Sequence, residues 1–105
     1  MRMVLKRAKD IHCEIIERDN TSKTFRELVG GYIEIFRLTD KIIIVLNEEG
    51  KLLGLEPNIA VPCHDGVYEQ IVGDIVFVED DGGGDFVDIS YESIECLKNI
   101  GLEIK

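Results

Sequence analysis

The chain has 105 residues, 45% of them hydrophobic and 31% charged, which is the composition of a folded globular chain and excludes intrinsic disorder. Its 12 basic and 21 acidic residues leave a net charge of −9, and a field of that sign repels phosphate backbones, so direct nucleic-acid binding is not expected. No apolar run approaches the ~20 residues that span a bilayer, and none after the first basic residues resembles a signal peptide, so the sequence predicts a single domain over 1–105 in the cytoplasm, away from membranes.

Residues 4–6 and 11–16 read as short strands, the second with Ile11, Cys13 and Ile15 alternating with His12 and Glu14 at period two. Asn20, Thr21 and Ser22 offer N-cap side chains, and Thr24 to Glu27 has capping-box spacing. A short helix over 21–29 follows, ended by Gly30-Gly31. Residues 32–38 alternate as a strand, and the unbroken apolar run at 42–46 predicts a central strand covered on both faces. Asn47-Glu48-Glu49-Gly50 fits a type I turn with a left-handed Gly50, returning 51–55 as a hairpin partner.

Pro57 and Pro62 argue for a long loop over 56–70, because proline lacks a ladder donor. Residues 71–78 read as one further apolar strand with a bulge at Gly73, followed by an acidic glycine-rich loop at 79–85 and a strand at 86–89. Ser90 caps a helix over 91–99 that turns Ile94, Leu97 and either Cys96 or Ile100 inward, and 102–104 adds an edge strand. The expected fold is α+β, a mixed, mainly antiparallel sheet of about five to seven short strands with two short helices.

Blocks around Gly30-Gly31-Tyr32-Ile33-Glu34, Asn47-Glu48-Glu49-Gly50-Lys51, Pro57-Asn58 and Ile71-Val72-Gly73-Asp74 resemble a small domain-of-unknown-function family of phages, plasmids and Gram-positive bacteria. The resemblance implies a mobile-element setting, an intracellular location and no familiar cofactor. It assigns no activity.

Chemistry-bearing residues are sparse. His12-Cys13 and Cys63-His64 supply zinc-ligand types, but adjacent strand residues point to opposite faces and the pairs lack ligand-x-x-ligand spacing, so no metal is expected. Cys63 beside His64 suggests an activated thiol, disfavoured by anionic surroundings. The acidic loop lacks the order of an EF-hand and, without a lysine, cannot cradle phosphate. No catalytic motif occurs, so enzyme status has no positive support and no cofactor is expected.

Between Lys51 and Lys98 there is no Lys or Arg, yet there are eleven acids. The leading expectation is therefore a non-enzymatic mobile-element accessory protein, of inhibitor or anti-defence type, binding a basic host protein through Glu79, Asp80, Asp81 and Asp85. The alternative is a small-ligand-binding module, with self-association left open, whose contacts are Asn58, His64 and Tyr68, with Tyr32 and Tyr91 as further aromatic candidates.

Overall fold

The computed structural model describes residues 1–63 and 65–105. Its elements are β1 (Arg2–Lys6), β2 (His12–Glu17), α1 (Ser22–Val29), β3 (Ile33–Arg37), β4 (Ile42–Asn47), β5 (Pro57–Pro62), β6 (Tyr68–Val72), β7 (Ile75–Asp80), β8 (Phe86–Val87), α2 (Tyr91–Asn99) and β9 (Glu103–Ile104). Six strands lie in the order β3-β4-β7-β1-β2-β9, β8 pairs with the end of β7, and β5 and β6 make a separate antiparallel ribbon. Among the described residues only β2 and β9 run parallel. The fold is thus α+β, with a mixed, mainly antiparallel sheet of seven strands and two helices.

The unbroken apolar runs find their explanation in three layers. All six residues of β4 are buried, as are Ile75 to Val78 of β7. Alternate side chains leave on opposite faces. Ile43, Val45, Val76 and Val78 meet Phe25 and Val29 of α1, while Ile44, Phe77, Val4 and Ile75 meet Ile94 and Leu97 of α2 and Val61 and Ile71 of the ribbon. Burying one such side chain completely contributes about 1.5–3 kcal/mol, so both covered faces of the sheet add to the stability of the fold.

Thr21 caps α1, its hydroxyl oxygen accepting from the Thr24 amide at 3.1 Å, and Gly30 ends it at φ 82° with its amide donating to the Arg26 carbonyl. Thr24 therefore lies inside the helix, and its spacing to Glu27 does not form a capping box. Ser90 caps α2 as expected, accepting from Ser93.

Several expectations need correction. Residues 51–55 do not pair with β4, because β3 and β7 already occupy both of its edges; the chain coils instead, the Leu53 amide reaching the Glu49 carbonyl at 2.9 Å, and Gly50 does not take the left-handed conformation. The loop expected over 56–70 contains β5 and part of β6. Pro57 and Pro62 sit at the two ends of β5, which pairs on one side only, so their missing donors cost the ladder little.

The strand expected over 71–78 is two strands belonging to different sheets. Gly73, at φ 79°, makes the break rather than a bulge, and an added Cβ would lie 2.8 Å from Leu55. In β2, Cys13 and Ile16 are the buried residues, whereas Ile15 is 40% exposed and Ile11, just before the strand, 73%. The strand expected over 86–89 stops at Val87, although Ile89 is fully buried.

Candidate functional site

The acidic turn is built from the polar end of β7. Asp80 Oδ1 accepts from the Gly82 and Gly84 amides at 2.7 and 3.3 Å, and its Oδ2 meets Arg37 Nη2 at 2.5 Å. The Arg37 guanidinium, followed by the turn amides, holds the Asp80 carboxyl below its ordinary pKa. Asp81 Oδ1 accepts from the Gly83 and Asp85 amides at 2.6 and 3.3 Å. These are carboxylates closing their own backbone turn, the local pattern that makes aspartate favourable in turns.

Glu79 points the other way. Its Oε2 accepts from the Ser90 amide at 2.7 Å and so ties β7 to the start of α2. Burial works to raise its pKa, but hydrogen bonds from Ser90 and Ser93 and the nearby Lys41 charge outweigh it and leave it lowered. Asp85 is exposed and its carboxylate makes no hydrogen bond or ion pair among the described residues. The four acids thus sit on one turn, but three of them already serve the fold. Asp81 and Asp85, and beyond the turn Asp88, Glu92 and Glu95, are exposed, with Glu95 paired to Lys98 at 3.3 Å.

The ligand trio separates. Asn58 is committed on every side: its Oδ1 accepts from Lys6 Nζ at 2.8 Å, and its Nδ2 donates to the Lys6 and Gly73 carbonyls at 2.9 and 2.7 Å. Lys6 is only 7% exposed, and its ammonium also donates to the Asp10 carbonyl at 2.9 Å, so this network fixes the ribbon to β1. Tyr68 lies at the opposite end of the ribbon, across from Pro62, and is 66% exposed. His64 lies outside the described residues. Tyr91 packs its ring under the Arg2 guanidinium at 4.5 Å, far along the chain from Tyr68.

Cys13 is fully buried, and burial pushes its thiol pKa up, with the Lys6 charge opposing. His12 points outward on the other face, 3.7 Å from Glu103. Among the described residues no three potential metal ligands converge.

What the sequence reading did not assemble is a groove beside Tyr68. Ile59 and Val61 of β5, Tyr68 of β6, Cys96 and Ile100 at the end of α2, and Leu102 line an open apolar depression of about 560 Å³. The one available signal was in α2, where both Cys96 and Ile100 compete for an inward place beside Ile94 and Leu97. Leu97 is fully buried and Ile100 remains 57% exposed, so the helix carries one more apolar residue than the core covers.

Among the described residues no helix is long and apolar enough to cross a membrane. No curated protein and no solved structure matches the chain. A family model described as a domain of unknown function, DUF3846, matches residues 1–100, and the chain belongs to that family.

Proposed function

We propose that the chain is a non-enzymatic binding protein of mobile genetic elements, phages or plasmids, that acts in the cytoplasm by presenting a negative surface to a basic host protein. The observation that carries this reading is the stretch between Lys51 and Lys98, with eleven acids and no Lys or Arg. In three dimensions Asp81, Asp85, Asp88, Glu92 and Glu95 of that stretch are exposed on the acidic turn, the segment after β8, and α2. A surface of one sign raises the encounter rate with a partner of the other and suppresses like-charged partners. The host-inhibitor role follows the same chemistry, because a rigid set of carboxylates competes with phosphates for a cationic site.

Capture of host proteins on the immobilised chain tests this. Basic proteins should be retained at low salt and released at high salt, because exposed charges are screened beyond ~8 Å at physiological ionic strength. Retention that is indifferent to salt, or a set of captured proteins with no basic bias, would refute it.

A further inference from the structure

We propose that the uncharged groove at the C-terminal end of α2 docks an amphipathic helix of a partner protein, one whose apolar stripe is flanked by lysine or arginine. The inference deepens the reading above and rests on it for the sign of the partner's charge. The groove itself is argued from geometry.

Among the described residues no charged side chain lines the depression, and Tyr68 and Ile100, more than half exposed, stand at its rim. Its volume of about 560 Å³ falls in the range of small-molecule sites, but such sites orient a ligand with directed polar groups. Few are available among the described residues. The Thr39 hydroxyl oxygen already accepts from the Lys41 and Ile42 amides at 3.2 and 2.9 Å, leaving the Tyr68 hydroxyl and the Cys96 thiol. The lining therefore suits apolar side chains better than a polar metabolite.

The secondary structure of the occupant follows from β5. That strand pairs only with β6, but Pro57 and Pro62 remove a backbone donor at each end of its free edge, which makes it a poor template for an added strand. A helix read through side chains at i, i+3, i+4 and i+7 needs no such edge.

Charge selects the flanks. Glu95, exposed beside Cys96, is already paired with Lys98 at 3.3 Å, so the bias toward cations comes from the helix end and from the net charge of the chain. The last turn of α2 ends in the groove wall, and a helix C-terminus carries a partial negative charge that favours cations. A second copy of the chain would bring −9 against −9, so the charge argues for a basic partner rather than self-association.

The test uses the full chain and two synthetic amphipathic helical peptides with the same leucine stripe, one flanked by lysines and the other by glutamines. Binding is followed by titration and by alkylation of Cys96, resolved from Cys13 and Cys63 by peptide mass mapping. The lysine peptide should slow Cys96 alkylation severalfold and bind about tenfold more tightly than the glutamine peptide at low salt. Tyr68→Ala with Ile100→Ser should weaken the lysine peptide about tenfold at an unchanged melting temperature; if the pair lowers it, Ile100→Ser alone serves.

Equal binding of the lysine peptide by the wild type and the folded variant would overturn the groove while leaving the basic-partner reading standing. Equal affinity of the two peptides, both lost in the variant, would overturn the basic flanks and the reading on which they rest. Failure of the lysine peptide to protect Cys96 at any concentration would overturn the inference, and self-association abolished by the variant would give the groove to a second copy.

Discussion

The acidic turn at the end of β7 and the groove at the end of α2 differ in how much of their chemistry is already committed. In the turn, Asp80 and Asp81 close their own backbone and Glu79 anchors α2, so the most charged segment has only Asp85 wholly free among its four named acids. The groove has no charged lining among the described residues, and its rim residues Tyr68 and Ile100 are unspent apolar surface. Conspicuous charge marked a scaffold, while the less conspicuous residues came from β5, β6, α2 and the residues after it. A carboxylate count measures field, and only hydrogen bonding shows which carboxylates remain for a partner.

The largest expected effect removes the platform both regions share. Ile44 is fully buried at the centre of β4, on the face that supports the ribbon and α2. Ile44→Asp should abolish folding, since a buried unpaired charge costs several kcal/mol against the ~5–15 that hold a domain together. Circular dichroism of the purified variant checks this, and a native spectrum with an unchanged melting temperature would show that the two faces are not built on β4.

Asn58→Ala should act on the groove side alone. It strips Lys6 Nζ and the Gly73 carbonyl of partners, an effect of about 1–3 kcal/mol in urea denaturation. Amide exchange should accelerate in β5 and β6 and stay unchanged in the acidic turn. Equal acceleration in both would mean that the two regions open as one unit.

Acid should act on the turn side. Glu79 and Asp80 both have lowered folded pKa values, so their contribution is fully present above the unfolded values of about 4.3 and 3.9 and is lost as pH falls through the folded ones. The melting temperature should therefore decline below about pH 4, with exchange rising first near Ser90. Glu79→Gln should flatten part of that slope; an unchanged slope would remove Glu79 from the account.

The legibility of the sequence follows the same division. β4, α1 and α2 were readable because local signals, an apolar run, a threonine cap with Gly30 and a serine cap, agreed with the tertiary structure. The ribbon was not, since prolines at 57 and 62 read as loop until β5 is known to pair on one side only. Gly73 was equally ambiguous: a glycine in an apolar run serves for a bulge or for a crossing between sheets, and Leu55, 18 residues earlier, decides which. Asn58 and Tyr68 looked like site residues, and only the long-range hydrogen bond of Asn58 to Lys6 and the place of Tyr68 in a groove lining shared with α2 assign them to separate tasks.

The smallest effect on stability is expected where the acidic turn is least committed. Asp85 is exposed and only its backbone joins the turn, its amide donating to Asp81 Oδ1 and its carbonyl accepting from the Asp81 amide, so Asp85→Asn should leave stability within about ±0.5 kcal/mol. Replacing Glu79, Asp80 and Asp81 as well would confuse lost charge with lost structure, because those three carboxylates accept the hydrogen bonds that shape the turn. Asp85→Asn combined with Glu92→Gln and Glu95→Gln instead removes three exposed charges while keeping those bonds. Against a captured basic partner, the association rate of this variant should fall more than its dissociation rate rises, because rim charges act on encounter. High salt should erase the difference between variant and wild type. Kinetics that match the wild type at low salt, from a variant with an unchanged melting temperature, would move recognition away from the acidic side and leave the groove to account for it.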